Sequence, residues 1–257
     1  MKKRATETIY GIHPVFAAIA AGRRSVEAVL LVEGKHNQKQ YARILGAASQ
    51  HGITVDNVSA AHLASLTGTD SHQGVGARVS PYPFEPVEMI AAKAHKKNAP
   101  FILVTDHITD PRNLGALART ALCAGADGIV IPKNNSASPT PSASKASAGA
   151  IEFLPISRVT NIARTLDLLK EKGLWVTGLE KDAPKSIYES ELTGPVALVV
   201  GGEGKGLGRL VKQKCDFIVS IPQSGPVESL NVSVAGAIAM YEMVRQKIAG
   251  QSPRTSQ

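Results

Sequence analysis

Aromatic side chains are scarce in this chain, at 4% of its 257 residues. That scarcity argues against an extensive platform on which exposed bases could stack. Cysteine is scarcer still. Cys123 and Cys215 are too few for a disulfide framework or a thiolate zinc site, and both sit in apolar stretches that read as core positions. The seven histidines show neither HxxxH nor HExxH spacing, so the sequence offers no metal site. No apolar run approaches the roughly 20 residues needed to span a membrane. The opening "MKKR", followed by "IYGIHPVFAAIAAG", imitates an export signal, but Glu7, His13 and Pro14 interrupt its apolar part. The expectation is a cytoplasmic protein in reducing surroundings.

What the chain does contain is positive charge and a long alternation of strand and helix signals. The formal net charge is +8. Residues 1–80 carry nine Lys/Arg against five Asp/Glu, which makes this third the more basic per residue. Such a balance suits a polyanionic partner, although ordinary solubility charge would look the same. Within this first third, "PVFAAIAAG", "NQKQYARILGAASQHG" and "SAAHLASL" read as helices, and "AVLLVE", "ITVDNV" and "GVGARVS" as strands. The glycines of "HQGVGARV" imply either close backbone approach or a bulged edge strand. The three prolines of "PYPFEP" mark a stiff connection, so the expected organisation is a small domain over residues 1–80, a linker with a lead-in helix over 81–97, and a larger domain over 98–257. In the larger domain strands again alternate with helices, which predicts a parallel α/β sheet with ligands bound beyond the carboxyl ends of its strands.

Three strand ends carry polar residues. "DHITDPRNLGALARTA" turns at Pro111 and predicts a helix capped by Asn113, with Leu114, Leu117, Ala118, Ala121 and Leu122 on its core stripe. Arg119 lies beside that stripe, and either meets an anionic or carbonyl partner or follows its own stem to solvent. "VALVVGGEGKGLG" runs from an apolar strand into a loop of four glycines around Glu203 and Lys205. It fits neither the Walker pattern, because Gly206 follows Lys205, nor GxGxxG. "IPQSGPVESLNVSVAGAIAMYEMVR" is a Pro/Gly loop that delivers Ser229 and Asn231 to the mouth of an apolar helix, more polar groups than a single cap requires.

Taken together and in this order, the three blocks resemble the SpoU branch of the SPOUT methyltransferases, which methylate the ribose 2′-hydroxyl of RNA. "NLGALART", "VVGGEGKGLG" and "IPQSGPVESLNVSVAGAIAMYE" resemble the family's three motifs, and the likeness spans roughly residues 98–248. "YGIHPV" and "HQGVGARV" resemble the small RNA-binding domain of the ribosomal RNA members. The resemblance implies a SPOUT domain with a deep trefoil knot at about 196–248, and S-adenosylmethionine as cofactor near Gly201, Gly202, Ile221 and Leu230. It also implies a catalytic set of Arg119, Asn113, Glu203, Ser229 and Asn231, with Glu203 orienting Arg119, and no metal. A homodimer formed through the last helix, buried all round over Val232–Val244, is implied as well. The nearest kinds of member are bacterial enzymes acting on a guanosine of 23S ribosomal RNA. Transfer RNA, a ribosomal adenosine, or RNA binding without catalysis stand as alternatives.

Overall fold

A computed structural model of the protein describes residues 6–97, 99–226 and 229–251. The chain divides into two compact units, one running to Pro83 and including Pro139–Phe153, the other comprising Phe84–Ser138 and the chain from Leu154 onward. The segment Pro139–Phe153, read from the sequence as part of the larger domain, therefore packs within the first unit. Its Ser/Ala/Pro composition hides a short helix with Thr140 as its cap and Pro141 at its first position.

The first unit opens with β1 (Glu7–Tyr10), a strand that the sequence reading missed inside the signal-like start, and α1 (Ile12–Ala21). Next come β2 (Val26–Val32), α2 (Ala42–Gln50), β3 (Thr54–Val58), α3 (Ala60–Thr67) and β4 (Val75–Val79). The sheet order is β1-β4-β2-β3, so β4 is an interior strand and its one glycine, Gly76, does not mark an edge. A Cβ on Gly76 would press on Leu63 of α3 at 2.9 Å and on the Ile9 carbonyl at 3.2 Å, so close backbone approach explains this glycine. The ladder irregularity lies instead on β2, between Val26 and Ala28. Ile9, Val15, Ile19, Val29, Leu31, Tyr41 and Ile44 fill the core.

One charged group sits inside this unit. Arg24 is 4% exposed; its Nε donates to Glu152 at 2.8 Å and its Nη1 to Glu7 at 2.8 Å. The Ser80 and Pro139 carbonyls accept from the rest of the guanidinium. Five donors in a fixed fork suit such a multiply satisfied site; burial chiefly, and the nearby Glu7 charge, push the Glu152 carboxyl upward while Arg24 opposes the shift.

The second unit contains α4 (Val87–Ala94), β5 (Phe101–Asp106), α5 (Pro111–Cys123) and β6 (Gly128–Pro132). α6 (Pro141–Ala146) is the short helix already placed in the first unit. The second unit resumes with β7 (Ile156–Val159), α7 (Ile162–Glu171), β8 (Trp175–Leu179) and the two-residue β9 (Lys185–Ser186). It ends with β10 (Val196–Gly201), α8 (Arg209–Lys214), β11 (Phe217–Ser220) and α9 (Val232–Gln251). Every pairing in its seven-stranded sheet is parallel, in the order β7-β6-β5-β10-β8-β11-β9. The buried runs Ile102–Val104 and Ala197–Val199 show why β5 and β10 are central: both faces are covered. Cys215 packs against this core and burial pushes its thiol up to about 12, whereas Cys123, expected in the core, is exposed at the end of α5. Within the single chain, α9 leaves Val234, Tyr241 and Ile248 facing outward at 46, 51 and 63% exposure.

Replacing Arg24 by Met should destabilise the first unit by about 3–5 kcal/mol, because Glu152 is left as an unpaired buried charge. Urea unfolding measures the loss, and adding Glu152→Gln to Arg24→Met should recover part of it.

Candidate functional site

The carboxyl ends of β8, β10 and β11 open onto a cavity of about 700 Å³. Leu179–Asp182 wall it on one side, Val200 and the loop Gly201–Gly206 form its floor, and Ile221, Gln223, Ser229, Leu230, Asn231, Val232 and Ala235 complete it. The floor is backbone for a steric reason. A Cβ on Gly201 would collide with the Gly206 peptide, and one on Gly202 with the His107 carbonyl. The loop therefore folds back on itself, closed by the bond from Gly206 N to Gly202 O at 3.1 Å.

At the rim three side chains from three segments join. Asn113 donates through Nδ2 to Oε1 of Glu203, and its Oδ1 accepts from Nδ2 of Asn231 at 3.3 Å. Oδ1 of Asn231 in turn accepts from Ser233 N at 2.9 Å and Val234 N at 3.4 Å, capping α9. The extra polarity at the mouth of α9 thus has a use: one oxygen caps the helix while the amide nitrogen reaches the rim. Asn113 itself is not the cap of α5. Asp110 accepts from Arg112 N at 2.8 Å, and Pro111 at the next position fixes the first helical φ. That arrangement leaves the buried Asn113 amide free for Glu203 and Asn231.

The remaining expected residues divide. Gly201, Gly202, Ile221, Leu230 and Ser229 all line the cavity. Arg119 does not. It lies exposed on α5, six residues past Asn113 and so on a different side of the helix, and Glu203 pairs with Asn113 instead of orienting it. Sequence reasoning missed the cavity wall Leu179–Asp182 and Arg112, which Asp110 clamps through Nε at 3.0 Å and through Nη2 at 3.0 Å. It also gave no role to Asp106 and Glu180. Their only sequence signal is an acid closing an otherwise apolar strand, "FILVTD" and "LWVTGLE". Among the described residues no cluster of three His, Cys, Asp or Glu could hold a metal ion.

A parallel sheet whose strand ends converge on a backbone-floored cavity with a polar rim defines an α/β ligand-binding domain. Its particular kind follows from comparison with known proteins. The family model described as "SpoU rRNA Methylase family" matches residues 100–241, and one described as "RNA 2'-O ribose methyltransferase substrate binding" matches residues 8–85. The chain belongs to the SpoU rRNA methylase family. It is similar to the 23S rRNA (guanosine-2'-O-)-methyltransferase RlmB of Pseudomonas putida, 41% identical over 243 residues that cover 94% of this chain and 97% of that protein. The protein of the same name from Escherichia coli K12 is 37% identical over 242 residues, covering 94% and 99%. In fold it is similar to the SpoU methyltransferase AviRb from Streptomyces viridochromogenes in complex with AdoMet, with a TM-score of 0.79 at 23% identity over 95% of this chain and 91% of that one.

Exchanging Asn113 for Asp would set a second carboxylate against Glu203 and remove the donor. The expected cost is about 1–3 kcal/mol at pH 7. It should shrink as pH falls through the carboxylate range and the new pair takes up a proton, which thermal melts at pH 7 and pH 4 would read.

Proposed function

We propose that this protein transfers a methyl group from S-adenosylmethionine to the ribose 2′-hydroxyl of a guanosine in 23S ribosomal RNA. The observation that carries the reading is the hydrogen-bonded set Asn113–Glu203–Asn231 at the rim of the backbone-floored cavity, in a chain similar to RlmB proteins over almost its whole length. The cavity fits the cofactor. Its volume of about 700 Å³ is in the range of small-molecule sites, Leu179, Val200, Ile221 and Leu230 give it apolar walls, and Glu180, Asp182 and Glu203 offer carboxylates to a cation. When bound, the cofactor supplies an electrophilic methyl on a positively charged sulfur.

The protein's own residues must then present a neutral hydroxyl, a poor nucleophile, in line with that methyl. Arg119 cannot act as a simple base, because a guanidinium keeps its proton. Exposed and without an ion pair among the described residues, it is free to grip an RNA phosphate and so align the ribose, while the proton leaves to that phosphate or to water. Asn113, Glu203 and Asn231 hold the rim in one geometry, and Ser229 positions the nucleotide. The first unit, matched by the substrate-binding family model and rich in Lys/Arg, holds the RNA in the cytoplasm. Residues 196–248 tie a trefoil knot; the insertion of β10 between β5 and β8, with β11 outside β8, supports this path. The chain works as a homodimer, a reading supported by the outward stripe Val234, Tyr241 and Ile248, seven residues apart on α9.

Ribose-methylation mapping of ribosomal RNA from cells lacking the protein should show the loss of one 2′-O-methylguanosine. Wild type should restore it; Arg119→Ala should not, with turnover in vitro reduced at least about 100-fold while S-adenosylmethionine still binds. A missing mark in transfer RNA, or none at all, would overturn the assignment. In sedimentation, Tyr241→Lys should run as a monomer where the wild-type protein runs as a dimer.

A further inference from the structure

The loop Gly202–Gly208 carries Glu203 to Asn113, yet four of its seven residues are glycine, the residue with most freedom to lose on ordering. Its own bond from Gly206 N to Gly202 O closes the first turn only. The far end is fixed from outside, by two carboxylates. Oδ2 of the fully buried Asp106 accepts from Gly208 N at 2.8 Å, and Oε2 of Glu180 accepts from Leu207 N at 3.3 Å. The two acids stand in equivalent places. Asp106 is the last residue of β5, Glu180 directly follows β8, and these are the two strands that flank β10, the strand feeding the loop.

Neighbouring contacts show that both acids are built into position. Oδ1 of Asp106 takes a bond from Nδ1 of His107 at 2.6 Å, and His107 holds a left-handed φ of 58° while its carbonyl fills the space where Gly202 lacks a Cβ. The carboxylate of Glu180 fills the corresponding space at Gly206, itself at φ 61°. Hydrogen bonds to an ionised acceptor are stronger than neutral ones, which suits the task of ordering a glycine-rich segment.

We infer that Asp106 and Glu180 are positioning residues of this site. They act through the amides of Leu207 and Gly208 to hold the loop closed over Gly201, keep the cavity floor formed and set Glu203 against Asn113. The geometric half of this inference stands on the structure alone; its kinetic half rests on the methyl-transfer reading above.

The test uses the full-length protein with Glu180→Ala, Glu180→Gln, Asp106→Ala, Asp106→Asn and Lys212→Ala, the last removing a cation 3.7 Å from Glu180. Amide hydrogen exchange is measured without cofactor, then the S-adenosylmethionine Kd, and kcat at saturating cofactor. Glu180→Ala should speed exchange at Leu207 and raise the Kd, each at least about tenfold, and lower kcat because Glu203 is displaced, with the melting temperature nearly unchanged. Glu180→Gln and Asp106→Asn, which keep an acceptor oxygen, should restore most of the protection. Lys212→Ala should match wild type. Unaltered exchange and Kd in Glu180→Ala would overturn the proposal, as would Lys212→Ala reproducing its effects, since Glu180 would then serve only a surface ion pair. If Asp106→Ala does not fold, the Glu180 series still decides. A wild-type protein that fails to bind S-adenosylmethionine would sink the functional reading, while the exchange measurements would still judge the loop.

Discussion

The site depends on the direction of hydrogen bonding through one amide, that of Asn113. A carboxylate only accepts, so Glu203 must face the Asn113 nitrogen. Backbone N–H groups only donate, so Ser233 and Val234 must face the Asn231 oxygen. The Asn231 nitrogen is then left for the Asn113 oxygen, and every group in the chain has one permitted orientation. Three segments far apart in sequence are thereby joined in a single arrangement. Because Asn113 is mostly buried, water competes poorly for these bonds, and leaving any one of them unmade would cost more than its formation gains.

The parallel sheet makes this junction possible. Parallel strands deliver all their carboxyl ends to one edge, so β5, β8, β10 and β11 place their following loops side by side although the ends of β5 and β11, Asp106 and Ser220, are far apart in sequence. The same geometry puts acids at the ends of β5 and β8 beside the loop of β10. Glycine then does the rest. At Gly201 and Gly202 the neighbouring backbone comes so near that any side chain would separate the segments, and at Gly206 the Glu180 carboxylate takes that space.

Much of this was legible in the sequence, and the exceptions share a cause. Long apolar runs such as "FILVTD" and "VALVVGG" announced β5 and β10, and the glycine content of the loop announced close packing. β1, β9, α6 and α8, from two to six residues each, carry too few positions for a period to register. Asn favours caps, which points to Asn113 in the sequence, but the Asp110–Pro111 pair just before it is the stronger signal. Arg119 illustrates a different limit: spacing along α5 placed it beside the core stripe, but only the fold shows that its side chain ends in solvent. Glu180 shows a third, since an acid at a strand end looks like surface charge until the amide it holds is seen.

In the proposed homodimer, helix α9 has no idle side. Its first residues are tied to the rim through Asn231, Ala239, Met240 and Met243 are fully or almost fully buried, and Gly236 admits Leu117 of α5. Glu242 joins Arg245 and Gln246, Gln246 fastens the backbone of Ser190 and Leu192, and the outward residues Val234, Tyr241 and Ile248, one every two turns, are apolar. A surface helix usually keeps a solvent-facing strip on which substitutions accumulate without effect. In the homodimer proposed above that neutral reservoir is missing, so the segment should drift more slowly over evolutionary time than a helix with a solvated outer face.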